Sequence, residues 1–214
     1  MSSIKLRNAI PDIFADNREL HSELWLQDID FEQGKKYLIE ADSGTGKSSL
    51  CSYIYGLRND YQGLILLNDR DIRKFSTTKW CDLRQTTISI LFQDLRLFGE
   101  LTAMENVQIK HRLHKVHNKR VIANWFEMLG IADKMDTRID HMSYGQQQRV
   151  ALIRALCQPF EFLLLDEPIS HLDDRNSDIM RDIILTEVER QGAALIATSI
   201  GKHMNIDYDK TLSL

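Results

Sequence analysis

The sequence predicts an α/β fold built on a mostly parallel sheet, and three observations carry that expectation. A glycine-containing loop, Ser43-Gly44-Thr45-Gly46-Lys47-Ser48, stands between a short apolar run and a helical stretch. Phe162-Leu163-Leu164-Leu165 is an unbroken apolar run ending in Asp166, the pattern of a parallel strand buried on both faces. Strand, loop and helix patterns alternate along the chain, with a helical stretch inserted in the middle. At 214 residues the chain is long enough for one α/β domain with a sizeable core and an inserted lobe.

The elements follow in order. Residues 23–31 mix apolar and polar positions like a strand, and Gly34 marks a turn. Tyr37-Leu38-Ile39 reads as a buried strand feeding the glycine loop, and residues 47–57 as a helix. Residues 64–67 and 88–92 are strand candidates. From 103 to 131 the pattern turns helical, with Val121, Ile122, Trp125, Phe126, Met128 and Leu129 at three- and four-residue spacings. A further helix over 146–157 stops before Pro159. The apolar strand at 162–165, a polar helix near 174–190, a strand at 193–198 and a last strand at 211–214 complete the chain.

Bulk properties exclude several classes. Hydrophobic residues make up 43% and charged residues 27%, as in a soluble globular protein. A net charge of −4 gives no basic bias toward nucleic acid or an anionic membrane. No apolar run approaches the ~20 residues of a membrane span, and residues 1–10 lack the apolar stretch of a signal peptide. Cys51, Cys81 and Cys157 form no C-x-x-C pair and read as small core residues in a reducing cytosol.

The glycine loop has the strand-then-helix context that a phosphate cradle requires. Its glycines let backbone N–H groups turn onto phosphate oxygens, and the helix N-terminus adds partial positive charge. Lys47 would bridge the β- and γ-phosphates, and Ser48 would ligate Mg²⁺. Ala41 stands where the pattern G-x-x-x-x-G-K-[ST] has its first glycine, and a positive φ there would be strained. Asp166 ends a buried strand, where ligands of open α/β sheets bind, and suits Mg²⁺; Glu167 beside it suits orienting or deprotonating a water. The bland alternative is that Asp166-Glu167-Pro168 caps and turns the chain.

Between these motifs lies Ser143-Tyr144-Gly145-Gln146-Gln147-Gln148-Arg149. It resembles the signature motif of ABC-type ATPases, whose common form is LSGGQ. Residues 163–173 resemble that family's acidic strand and D-loop, and residues 88–93 the strand leading to its Q-loop glutamine, here Gln93. The stretch from Phe92 to Val107 is similar to subunits serving lipoprotein-release, macrolide-export and cell-division complexes.

The resemblance implies a P-loop NTPase core with an N-terminal antiparallel β subdomain and an inserted α-helical subdomain. The single domain would span 1–214, with its core at about 1–93 and 159–214 and its helical lobe at about 94–158. ATP and Mg²⁺ would be the cofactors. ATP would be held by Ser43, Gly44, Thr45, Gly46, Lys47, Ser48 and Ser49, with Phe14 either stacking on adenine or serving as a core phenylalanine. Ser48, Gln93 and Asp166 would hold the metal, and Glu167 would be the base. Ser143 is a plausible helix N-cap. In a closed, two-fold dimer, Ser143, Gly145, Gln146 and Asp173 of one subunit would face the ATP of the other. The partners implied are a second copy or a second ATPase subunit, and a transmembrane permease; nucleic acid is not implied. The protein would be cytoplasmic, peripheral on the inner face of the membrane through its permease. The groove near residues 93–106, with Leu95, Leu97, Phe98, Leu101 and Met104, would receive it.

The pattern also breaks at Ile169, a position often held by threonine, without mechanistic cost, and at two more consequential places. Tyr144 replaces a signature glycine. Ser199 follows Thr198 where the family has a histidine on the γ-phosphate, and a hydroxyl lacks the imidazole's charge and reach. Hydrolysis would then be slow or partner-dependent; His203 reads as a surface histidine, with folding back as a substitute the alternative. Two rival functions are a regulatory ATP binder and a soluble non-transport ABC protein; a phosphate-loop kinase leaves residues 142–149 unexplained. His111, His114 and His117 recur every third residue and read as a solvated helix face, with metal, phospholipid headgroups or an acidic partner as alternatives.

Overall fold

The computed structural model describes residues 1–16, 21–42, 44–169 and 173–214. Two sheets organise them. In the first, β1 (Ser3–Pro11) lies between β2 (Asp28–Glu32) and β4 (Tyr61–Leu67), with the short β5 (Arg70–Asp71) beyond; all its pairings are antiparallel. The second has the order β6 (Ile88–Leu91), β7 (Phe162–Asp166), β8 (Ala194–Ser199), β3 (Lys36–Glu40), β9 (Lys210–Ser213), and every pairing is parallel.

The inner strands β7 and β8 are buried at every position and mostly apolar, because both faces of the sheet are covered there. Side chains alternate between the faces. Leu38, Leu163, Leu165, Leu195 and Ala197 enter one core, shared with the helices that follow. Ile39, Phe162, Leu164 and Ile196 enter a second core, shared with the antiparallel sheet and with α1 (Lys47–Ile54).

β1 has no counterpart in the sequence reading. Ile4 and Leu6 alternate with Lys5 and Arg7, and a bulge then interrupts the register between Arg7 and Ile10. Asn8 takes the left-handed φ of 46° at that bulge, and a Cβ on Gly63 opposite would lie 2.1 Å from the Asn8 carbonyl oxygen. Only glycine allows that approach. The strand expected at 23–31 shortens to β2, because residues before Asp28 form turns around buried Leu24 and Trp25.

The remaining helices are α2 (Thr77–Thr86), α3 (Ala103–His114), α4 (Lys119–Met128), α5 (Tyr144–Leu156) and α6 (Asp174–Gln191). The helical stretch expected from 103 to 131 is two helices. Lys115 adopts a left-handed φ of 49° that ends α3, and Asn118 caps α4 by accepting from Val121 N. No helix among the described residues is long and apolar enough to cross a membrane.

Candidate functional site

β3 delivers the chain into the glycine loop at the carboxyl edge of the parallel sheet, and α1 leaves from it. Gly44 and Gly46 have φ values of 85° and 103°, which side chains rarely adopt. A Cβ on Gly46 would also lie 3.2 Å from both the Phe14 and Trp25 rings. Trp25 Nε1 donates to the Thr45 carbonyl at 3.1 Å, and Thr45 Oγ1 donates to the Asp42 carbonyl at 2.9 Å. Ala41 is not among the left-handed residues, and its N–H continues the sheet by donating to the Ser199 carbonyl. Alanine therefore replaces glycine there without strain. Ser43 lies outside the described residues.

Lys47 is buried, and its Nζ donates to the carbonyls of Ala41 (3.2 Å) and Asp42 (2.6 Å). Burial lowers its pKa, against the opposing pull of Glu167, Asp166 and Asp42. Next to it runs a chain of side chains. Ser48 Oγ donates to Gln93 Oε1 at 3.4 Å, and Gln93 Nε2 donates to Glu167 Oε2 at 3.2 Å. Asp166 is buried at the end of β7 and accepts from Thr198 Oγ1 at 2.8 Å. The same hydroxyl accepts from Glu167 N at 3.2 Å, which fixes the backbone where Glu167 turns to φ 50°. Phe14, Gly44, Gly46, Lys47, Ser48, Ser49, Gln93 and Glu167 converge on one open cavity of about 320 Å³.

The metal expectation can be tested on donor chemistry. Ser48, Gln93 and Asp166 offer only oxygen, as Mg²⁺ prefers. Adjacent ligands of an octahedral Mg²⁺ lie about 3 Å apart, given bonds of about 2.0–2.1 Å. The 3.4 Å between Ser48 Oγ and Gln93 Oε1 is close to that spacing. Ser48 and Gln93 fit the ion by spacing, and Asp166 by its chemistry, although it does not line the cavity.

The other expected residues lie elsewhere. Ser143 caps α5 reciprocally with Gln146: Ser143 Oγ accepts from Gln146 N, and Gln146 Oε1 accepts from Ser143 N. Asp173 caps α6, and hydrogen bonds from Asn176 lower its pKa. None of Ser143, Gly145, Gln146 and Asp173 lines the cavity. Tyr144, however, reaches back to the site, its hydroxyl donating to the Gln93 carbonyl at 2.7 Å.

The γ-phosphate end corrects the expectation for Ser199 and bears out the surface reading of His203. Ser199 is buried, and its hydroxyl donates to the Lys202 carbonyl at 2.5 Å; Ile200 lines the cavity instead. His203 does not fold back as a substitute. Its Nδ1 lies 3.1 Å from Glu40 Oε1.

The histidine run also departs from a helix face, because α3 ends before His117. His117 is buried, with its Nε2 3.1 Å from Glu187 Oε1 on α6, and His111 Nε2 donates to the His117 carbonyl. Among the described residues no cluster of three or more His, Cys, Asp or Glu could hold a metal. Leu95 is core rather than surface, whereas Phe98 and, on α3, Ile109 and Leu113 are exposed. Sequence reasoning missed Ile13 and Arg58, which line the cavity from segments that carry no motif.

The sequence pattern of the family described as ABC transporter matches residues 26–170, more than half of the chain. The chain belongs to the ABC transporter family. As an ABC transporter ATP-binding domain it is similar to an uncharacterized ABC transporter ATP-binding protein of Mycobacterium tuberculosis, 31% identical over 189 residues, 87% of this chain and 76% of that protein. It is also similar to the lipoprotein-releasing system ATP-binding protein LolD of Legionella pneumophila, 28% identical over 190 residues, 87% and 84% of the two chains. Among solved structures, the dimeric bacterial ABC transporter cassette MJ0796 matches with a TM-score of 0.75 at 24% identity, over 91% of this chain and 87% of that one. That likeness concerns the fold.

Proposed function

We propose that this ABC domain binds and hydrolyses ATP with Mg²⁺ and drives a separate transmembrane permease. The observation that carries this reading is the Ser48–Gln93–Glu167 hydrogen-bond chain beside the Gly44–Lys47 loop. The terminal phosphates lie against the loop N–H groups and Lys47, which leaves the Ala41 and Asp42 carbonyls to meet them. Mg²⁺ held by Ser48, Gln93 and Asp166 would neutralise phosphate charge. Glu167 orients and deprotonates the attacking water, with Gln93 hydrogen-bonded to it. Phe14, which lines the same cavity, stacks on the adenine.

The signature residues Ser143, Gly145 and Gln146, with Asp173, act on the ATP of a second copy, or of a second ATPase subunit, in a two-fold dimer. Their position outside the cavity supports that assignment. The domain is a single unit, with a core at about 1–93 and 159–214 and a helical lobe at about 94–158. The permease docks at the exposed Phe98, Ile109 and Leu113, which places the protein on the cytoplasmic face of the membrane.

ATP turnover of the wild type beside Glu167→Gln, with light scattering, tests this reading. Turnover in the wild type and an ATP-trapped dimer in the variant are expected; a variant that hydrolyses as fast as the wild type overturns Glu167 as base. A second reading, an ATP binder with weak or partner-dependent hydrolysis, is favoured by one observation. The γ-phosphate end presents Ile200 where an imidazole would serve. Turnover that rises only with the permease present would select it.

A further inference from the structure

The cavity contains a second cation that none of the family motifs includes. Arg58 follows α1 and lines the same cavity as Phe14, Lys47 and Ser48. Its Nη1 donates to Ser49 Oγ at 2.9 Å. Its Nε donates to Asp60 Oδ1 at 2.9 Å, and Nη2 bonds the other oxygen of the same carboxylate. Three of the five guanidinium N–H groups are thereby engaged, and among the described residues two remain for a ligand.

Ser48 and Ser49 are consecutive on the first turn of α1, so their side chains diverge by about 100° around the helix. Ser48 meets Gln93 and Glu167, the reacting end of the cavity. Ser49 meets Arg58, away from that pair. Ser49 and Arg58 line the cavity together with Lys47 and Phe14, so a nucleotide with its terminal phosphate at Lys47 brings a phosphate nearer its ribose within their reach. A guanidinium binds such an oxyanion with charge-assisted hydrogen bonds in fixed geometry.

We propose that Arg58 is a nucleotide-binding residue that grips the α-phosphate of a nucleoside di- or triphosphate, exchanging its bond to Ser49 for that contact. The assignment rests on the reading of this cavity as the nucleotide site. ATP and ADP both carry the α-phosphate, and bond cleavage at the γ-phosphate leaves it unchanged. Arg58 therefore contributes equally to ground state and transition state, and its loss raises KM without lowering kcat.

The competing explanation is that Arg58 only braces the segment after α1 through Asp60. Both side chains of that pair are nearly half exposed, at 44% and 48%, so the pair adds little stability. Paired variants separate the two explanations. Arg58→Ala removes the cation; Asp60→Asn releases it. Calorimetric titration with ADP, and with ATP in the Glu167→Gln background, reads affinity, and melting temperature reads the fold. Arg58→Ala is expected to weaken both nucleotides by the same factor, about tenfold, or about 1.4 kcal/mol, with kcat and melting temperature unchanged. Asp60→Asn is expected to bind as well as the wild type or better. If Arg58→Ala and Asp60→Asn lose affinity together, or Arg58→Ala binds like the wild type, the assignment is overturned. Lys47→Ala serves as the site control. Binding by the wild type that Lys47→Ala abolishes and Arg58→Ala leaves intact removes Arg58 alone; a wild type that binds neither nucleotide removes the site reading and Arg58 with it.

Discussion

The Tyr144 hydroxyl donates to the Gln93 backbone carbonyl across 2.7 Å, joining the first residue of α5 to the residue whose side chain bridges Ser48 and Glu167. A glycine at position 144 could not make this bond. The segment carrying the signature is thereby tied to the reacting end of its own protomer's cavity. Tyr144→Phe keeps the ring and deletes the bond. It is expected to lower kcat several-fold while nucleotide affinity of the single protomer holds, because Lys47 and the loop are untouched. The stability loss should stay near the ~1 kcal/mol of one neutral hydrogen bond. Steady-state turnover with ADP titration checks it; unchanged kcat would mean the tether has no part in the reaction.

The γ-phosphate end yields a prediction with two opposed arms. Ile200 lines the cavity and is 44% exposed, whereas Ser199 is 3% exposed. A histidine introduced at the aligned position, Ser199→His, must enter the core, where overpacking costs about 1–3 kcal/mol, and it should not raise turnover. Ile200→His places the imidazole in the cavity and should raise kcat several-fold. Parallel melting and turnover assays decide, and the reverse ranking would show that the loop after β8 rearranges when ATP binds.

The parallel sheet is legible because its inner strands are buried on both faces, so that β7 reads as four consecutive apolar residues before Asp166. The Ser143 cap is legible because a capping box is a local pattern of two residues. Elements whose burial depends on distant partners are not. α2 buries Leu83 alone, so no apolar period marks it. β1 alternates correctly for four residues and then breaks at the Asn8 bulge, which answers to Gly63 on another strand. In the site, Lys47, Ser48 and Glu167 belong to compact motifs. Arg58 and Ile200 enter through loop geometry, which spacing does not encode.

Glu187 on α6 holds the α3–α4 connection in place. It is buried and accepts from His117, Arg190 and Gln191. Burial pushes its pKa up, but the His117 and Arg190 hydrogen bonds and the remaining contacts outweigh it, and the net shift is downward. A depressed carboxylate stabilises the fold above its unfolded pKa and loses that contribution as pH falls through the folded value. Glu187→Gln is therefore expected to cost about 2 kcal/mol near neutral pH, and the gap to the wild type should close as pH drops below about 4.5. Urea unfolding at both ends of that range measures it; a gap independent of pH would assign the loss to packing rather than charge.

Lys110 presents the opposite sign. Its Nζ donates to the Arg84 carbonyl, and burial, then Arg154 and Arg84, lower its pKa to about 8. It shares a small cavity with Arg154, beside the exposed Phe98 and Ile109. A lysine depressed in the folded state binds its proton more tightly when unfolded. Stability from this group is thus lowest below about pH 8 and rises with pH until the unfolded lysine also deprotonates, near 10.5. Lys110→Met keeps the apolar stem and removes the charge, and Gln158 Nε2 still donates to the Arg84 carbonyl. The variant should melt roughly 2–4 °C above the wild type at neutral pH, the shift that about 1 kcal/mol produces in a chain of this length, and the gain should fade between about pH 8 and 10.5. If the proposed docking of a permease at Phe98 and Ile109 holds, Lys110→Met should change permease-stimulated turnover while leaving basal turnover intact. A variant that melts below the wild type at neutral pH would show that the charge is already compensated within the domain.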